Sequence, residues 1–124
     1  MLIRNVSRTT LFGCRADEPL TEVARRMADK DVGSLAVFDG EELTGLITER
    51  DLVRALAAGT DPGSETAAAH AATRVRTASL DEDSQDVAQR MLEAGVRHLP
   101  VEDGGRPVGM VSMRDLLALE VLTS

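Results

Sequence analysis

Apolar positions along this chain fall into short blocks that alternate between helical and extended spacing. Leu20, Val23, Ala24 and Met27 recur at i, i+3, i+4 and i+7, which is one face of an amphipathic helix. Asp17, Glu18 and Pro19 mark its start, because carboxylates suit the positive helix end and proline suits the first turn. Arg25, Arg26 and Asp29 fall on its wet side. Residues 35–38 form a continuous apolar run after Ser34, the pattern of a strand covered on both faces. Asp39-Gly40 is a turn signal, residues 43–47 read as the next strand, and Thr48 opens a helix to about Ala58, stopped by Gly59. Upstream, residues 9–14 read as a short extended segment, preceded by an arm over residues 1–8 that Leu2, Ile3 and Val6 would dock.

The order then repeats. A connector over 59–64 and an alanine-rich helical linker over 65–72, containing His70, separate the halves. Residues 75–80 read as a strand and turn, and Asp81-Glu82-Asp83-Ser84 as an acidic helix start. Val87, Ala88, Met91 and Leu92 give a helix face ending near Gly95. A strand follows over 99–101, where Pro100 implies an edge or irregular position. After the Asp103-Gly104-Gly105 turn come a strand over 108–111 and a helix from Ser112 to about Leu122.

Sliding the chain by 64 residues aligns the halves from residue 23 to residue 52 without a gap. Val23/Val87, Arg26/Arg90, Met27/Met91, Gly40/Gly104, Gly45/Gly109, Arg50/Arg114 and Asp51/Asp115 are identical pairs. This is an internal duplication. Each half carries strand–helix–strand–strand–helix and is too small to stand alone, so the halves are expected to pack on each other. The expected organisation is a first repeat over 5–60, a linker over 61–72 and a second repeat over 73–122.

Composition narrows the function. Phe12 and Phe38 are the only aromatic residues, so an aliphatic core is expected, with Met27, Met91, Met110 and Met113 within it, or with Met113, which sits inside a repeated motif, lining a site. The net charge of −7 argues against nucleic acid and against an acidic membrane surface, both of which attract basic proteins. Lys30 is the only lysine; arginine, which dominates, suits bidentate recognition of phosphate or carboxylate. Cys14, the single cysteine, permits no intrachain disulfide and fits a reducing compartment. Residues 1–13 lack the apolar core of a signal peptide, and no run approaches the ~18 apolar residues of a membrane span, so a cytoplasmic protein is expected.

The stretch repeated most closely is Gly45-Leu46-Ile47-Thr48-Glu49-Arg50-Asp51, matched by Gly109-Met110-Val111-Ser112-Met113-Arg114-Asp115. As structure, Thr48 or Ser112 is a helix N-cap, and Asp51 or Asp115, three residues on, completes a capping box. Each glycine allows close packing. As chemistry, a helix N-terminus favours phosphate, a hydroxyl and a carboxylate can hold a ribose diol, and Arg50 or Arg114 can neutralise phosphate.

The doubled glycine–apolar–x–Ser/Thr–x–x–Asp pattern resembles the signature of cystathionine-β-synthase (CBS) domains. The strands before it, Ser34 to Asp39 and His98 to Asp103, are similar to that family as well. The likeness covers residues 5–122 and implies a tandem pair, the Bateman module. That implies an α+β fold of two β-α-β-β-α repeats packed with pseudo-two-fold symmetry, and two clefts shared across the repeats. By resemblance, Ser112 and Asp115 would hold ribose in one cleft, lined by Val32, Gly33 and Ser34 with Thr9 or Thr10 at its base. Thr48 and Asp51 would hold it in the other, lined by Val96, Arg97 and His98, with Thr77 less directly placed. Arg97 and His98 match a basic phosphate position that Gly33 and Ser34 do not, so the two sites are expected to differ.

The function this implies is a non-enzymatic sensor binding an adenosine-containing ligand, with AMP, ADP, ATP, S-adenosylmethionine and NAD all open. No obligatory cofactor is expected. The resemblance also implies a homodimer through the motif helices, where Leu52, Val53, Leu56, Leu116, Leu117 and Leu119 supply apolar surface, and an unidentified regulated protein. The alternative is a structural or interaction dimer with vestigial sites. His98 has no nucleophile or orienting acid near it in sequence, His70 reads as a helix-surface residue, and no His or Cys pair has metal-ligand spacing.

Overall fold

The computed structural model describes residues 1–123, with side chains described for residues 1–118. The chain divides into two compact units, Phe12–Val75 and Met1–Leu11 with Arg76–Ser124. In the first unit, β1 (Gly13–Arg15), α1 (Leu20–Lys30), β2 (Ser34–Asp39), β3 (Glu42–Thr48), α2 (Glu49–Ala57) and the short α3 (Ala67–His70) follow in order. The sheet runs β1-β2-β3, with β1 parallel and β3 antiparallel to β2. The apolar run of β2 lies in the middle because its residues Ser34–Val37 are buried. Val23 and Met27 of α1 close the core together with Cys14, Leu20, Leu35, Val37, Ile47, Ala55 and Ala67.

In the second unit a 3-10 turn, Ile3–Asn5, precedes β4 (Ala78–Ser79), α4 (Ser84–Ala94), β5 (His98–Asp103), β6 (Arg106–Ser112) and α5 (Met113–Thr123). Its sheet, β4-β5-β6, repeats the first unit's pairing, and the same bulge recurs between Val37/Phe38 and between Val101/Glu102. Pro100, expected at an edge or irregular position, lies in the middle strand, fully buried, one residue before the bulge at Val101/Glu102. The equivalent Ala36 donates its N–H to Phe12 O at 3.1 Å. Proline has no N–H to give, and β4 begins one position later than β1 does.

The flanking segments depart most from the sequence reading. The arm over 1–8 belongs to the second unit: Ile3 N–H donates to Glu82 O at 2.9 Å, and the Ile3 side chain is fully buried in that core. The linker belongs to the first: Ala67 N–H donates to Glu18 O at 2.8 Å. It was expected to be helical over 65–72, but α3 spans only Ala67–His70, capped by Thr66. Ala71 turns extended (ψ 150) and Ala72 pairs both ways with Leu46 at 3.0 Å, covering the free edge of β3. Arg8, 64 residues earlier, pairs with Met110 in the same way, at 2.8 and 3.1 Å.

Candidate functional site

Each motif begins with a glycine for a steric reason. A Cβ on Gly109 would run into the Arg8 carbonyl, and one on Gly45 would come within 3.0 Å of the Ala72 carbonyl. The glycine lets the flanking strand lie against the edge of β3 or β6 two residues before the hydroxyl. That strand in turn fixes which side chain stands beside the motif.

Both capping boxes form. Thr48 N–H donates to Asp51 Oδ2 at 2.9 Å, and Asp51 N–H donates to Thr48 Oγ1 at 3.3 Å. Ser112 N–H donates to Asp115 Oδ2 at 3.1 Å, and Asp115 N–H to Ser112 Oγ at 3.0 Å. The first helical amide is also taken: Glu49 N–H donates to Gly33 O at 3.0 Å and Met113 N–H to Arg97 O at 2.8 Å. A helix N-terminus normally offers its first amides to an anion. Here three backbone donors around each terminus are engaged internally, so an anion at either motif depends mainly on side chains.

Those side chains differ between the motifs. The Arg8 Nε lies 3.7 Å from Asp115 Oδ1, with the aspartate side chain 18% exposed and the arginine 60%. The equivalent of Arg8 is Ala72, and among the described residues Asp51 has no ion pair. Instead the Thr48 hydroxyl donates to Asp51 Oδ2 at 3.1 Å. The first helical residue is Glu49 in one motif and Met113 in the other.

Val32, Gly33 and Ser34, expected to line the Asp115 cleft, belong to the first unit, where the strand that Ser34 opens runs beside the Thr48-Glu49-Arg50-Asp51 motif. Ser34 pairs with Thr48 across β2 and β3, and Gly33 holds the start of α2. Val96, Arg97 and His98, expected to line the Asp51 cleft, belong to the second unit, where His98 pairs with Ser112 across β5 and β6 beside the motif that carries Arg114 and Asp115. Thr9 and Thr10 are exposed and follow Arg8 on the arm. The Thr9 Cα lies 3.7 Å from where a Gly109 Cβ would stand.

A second duplicated device was invisible as such in the sequence. Arg26, expected on the wet face, pairs with the buried Glu18 at 3.0 Å and donates to Gly13 O at 2.8 Å. Arg90 pairs with Glu82 at 2.6 Å and donates to Thr77 O at 2.9 Å. Both glutamates also accept a backbone N–H, from Arg15 and Ser79 respectively. These struts tie the first helix of each unit to the strand before it. The available signal was identity of Glu18/Glu82 together with Arg26/Arg90 on an otherwise variable polar face.

Cys14 is buried on β1, and burial pushes its thiol up to about 11, with the Glu18 carboxylate adding to the effect and Arg26 opposing it. The thiol is neutral and packed, as a small hydrophobe would be. Among the described residues, no group of three His, Cys, Asp or Glu side chains could hold a metal ion, and no helix is long and apolar enough to cross a membrane.

Comparison with known proteins places this scaffold. Hypoxic response protein 1 of Mycobacterium tuberculosis is 36% identical over 101 residues, covering 80% of this chain and 71% of that protein. An uncharacterized protein of Methanopyrus kandleri is 31% identical over 121 residues; the match covers 95% of this chain but only 62% of that protein's length. Among solved structures, the CBS domain pair of protein MJ0100, in complex with 5′-methylthioadenosine and S-adenosyl-L-methionine, superposes with a TM-score of 0.92 at 25% identity. That match covers 100% of this chain and 98% of the other. The CBS domain itself matches twice, over residues 3–58 and 69–121. The chain belongs to the CBS domain family and carries a tandem pair of its repeats.

Proposed function

We propose that this CBS pair is a non-enzymatic regulatory module of the cytoplasm that binds an adenosine-containing ligand at each motif. In this reading the Asp51 and Asp115 carboxylates accept the ribose hydroxyls, with Thr48 and Ser112 beside them. Arg50 and Arg114 lie next in sequence, and Gly33-Ser34 and Arg97-His98 flank the motif strands. The observation that carries the reading is the pair of capping boxes. Each holds a part-buried carboxylate in fixed orientation at a helix N-terminus, and the two recur at equivalent positions. The bound adenosine compounds of the MJ0100 pair support the ligand class. AMP, ADP, ATP, S-adenosylmethionine and NAD are the compounds to test.

A specific ligand at 100 times its Kd raises the unfolding free energy by about 2.7 kcal/mol. Thermal unfolding with each compound is expected to give such a stabilisation for at least one. It should be halved or lost in Asp51→Ala or Asp115→Ala, judged as the ligand-induced shift, because either substitution also removes a helix cap. If no compound shifts the folded protein, the sensor reading fails and a purely structural pair remains. A shift that neither substitution alters moves the site elsewhere.

The same reading includes a homodimer through the motif helices. Val53 and Leu56 on α2 are 64% and 62% exposed, and Leu117 on α5 is 57% exposed. Leu116, also expected on this surface, is buried in the second unit's core, Leu52 packs half-buried against the first, and the Leu119 side chain lies outside the described residues. Light scattering that returned a single chain's mass would overturn the dimer.

A further inference from the structure

We propose that the two motifs select ligands of different charge. On this view the Asp115 motif takes adenosine ligands that carry phosphate, and the Asp51 motif takes those that are uncharged or cationic at the same end. The inference rests on the adenosine reading above and assigns a ligand class to each site.

Two independent substitutions between equivalent positions point the same way. Ala72 is replaced by Arg8, and Glu49 by Met113. Glu49, Arg50, Asp51 and Ala72 comprise two carboxylates and one guanidinium. Met113, Arg114, Asp115 and Arg8 comprise one carboxylate and two guanidiniums. These four equivalent positions therefore sum to one net negative charge at the first motif and one net positive charge at the second. The difference matters because three backbone amides at each helix end are engaged internally, and because a chain of net charge −7 repels a polyphosphate unless a local cation receives it.

Arg8 is built into its position. Its backbone is held by two hydrogen bonds to Met110, and the absence of a side chain at Gly109 is what admits it. At 3.7 Å its Nε is beyond hydrogen-bonding distance of Asp115 Oδ1, and the Ser112 amide uses Oδ2. The guanidinium thus compensates the carboxylate without occupying the oxygen that a ribose hydroxyl would need. Being largely exposed, it is free to turn its planar fork toward a phosphate. At the Asp51 motif the position equivalent to Arg8 is Ala72, which carries no charge, and the first helical residue is Glu49.

Titration calorimetry with ATP, adenosine and S-adenosylmethionine tests this on two single-site proteins. Asp51→Ala reports the Asp115 motif, and Asp115→Ala reports the Asp51 motif. Exposed charges each change affinity about two- to fivefold. With two charges exchanged, the preference for ATP over adenosine is therefore expected to be about fourfold to 25-fold greater in Asp51→Ala than in Asp115→Ala, and to shrink as salt is raised. Adding Arg8→Ala to Asp51→Ala should weaken ATP and leave adenosine unchanged, and Arg8→Glu should go further. The arm pairs through its backbone, so both variants are expected to fold, which circular dichroism checks. Equal ATP preference at two sites, each removed by its own aspartate substitution, overturns the charge inference and leaves the adenosine reading standing. Arg8→Ala tightening both ATP and adenosine also overturns it, because Arg8 would then be a competitor for Asp115. Binding of no probe, or binding insensitive to both aspartates, overturns the adenosine reading and this inference with it.

Discussion

Ile3 and Ala67 stand 64 residues apart at equivalent places, and both are fully buried, yet one is a large branched side chain and the other a methyl group. The start of the first helix compensates. It contributes the buried Leu20 in the first unit and the buried Ser84 in the second. Backbone contacts around both pairs are the same: Leu20 N–H donates to Glu65 O and Ser84 N–H to Met1 O, at 2.9 and 2.7 Å. One unit fills its core from the helix and the other from the flanking segment. Interiors are close-packed, so volume is conserved while its source moves.

The largest expected effect tests that exchange. Ile3→Ala should lower the unfolding free energy by about 3 kcal/mol, as deletion of a buried branched side chain does. Ala67→Gly should cost about 1 kcal/mol, mostly from backbone freedom in α3. Urea unfolding of the two variants decides. Equal costs would mean that the arm merely covers the second unit and that its core does not depend on Ile3.

The same comparison explains what could be read from the sequence. The duplication, the order of strands and helices, and both capping boxes follow from side-chain identities between residues 23 and 52 and their counterparts. Arg8 and Ala72 share no side-chain property, because their equivalence lies in backbone pairing with Met110 and Leu46. Hydrophobic periodicity does not report backbone pairing of a single residue. The arm therefore read only as a dockable segment, and the alanine-rich linker as a longer helix. Pro100 is the irregular position rather than the edge. Its missing N–H would leave a neighbouring carbonyl unmatched in a longer ladder, but β4 is only two residues long and first pairs at Val101.

A middle-sized effect separates the two motif glycines. Gly109→Ala drives a methyl group into the Arg8 carbonyl, which is held by its own hydrogen bond, whereas Gly45→Ala meets the Ala72 carbonyl at 3.0 Å. Overpacking of this kind costs about 1–3 kcal/mol. Gly109→Ala is expected near the upper end and Gly45→Ala near the lower. Hydrogen exchange should also find the Arg8 and Met110 amides deprotected in Gly109→Ala. Retained protection there would show that the arm can shift aside, and would weaken the argument that Arg8 is fixed beside Asp115.

The smallest effect concerns the ends of the first helices. Helix α1 ends at Asp31 with φ 54, while α4 ends at Gly95 with φ 70. Both residues close their helix by donating to the carbonyls three and four positions back, so the left-handed conformation is required in each unit. Glycine adopts it freely, aspartate tolerates it, and alanine is strained there. Space plays no part at Gly95, where a Cβ would meet nothing within 4 Å. Asp31→Gly should therefore stabilise by no more than about 0.5 kcal/mol, because relief of backbone strain is partly offset by greater freedom in the unfolded chain. Gly95→Ala should cost about 1 kcal/mol, and Gly95→Asp, which installs the first unit's residue, should cost less. If Gly95→Asp is as harmful as Gly95→Ala, the two helix ends are not interchangeable, and the equivalence of the units stops short of these turns, one residue before Val32 and Val96.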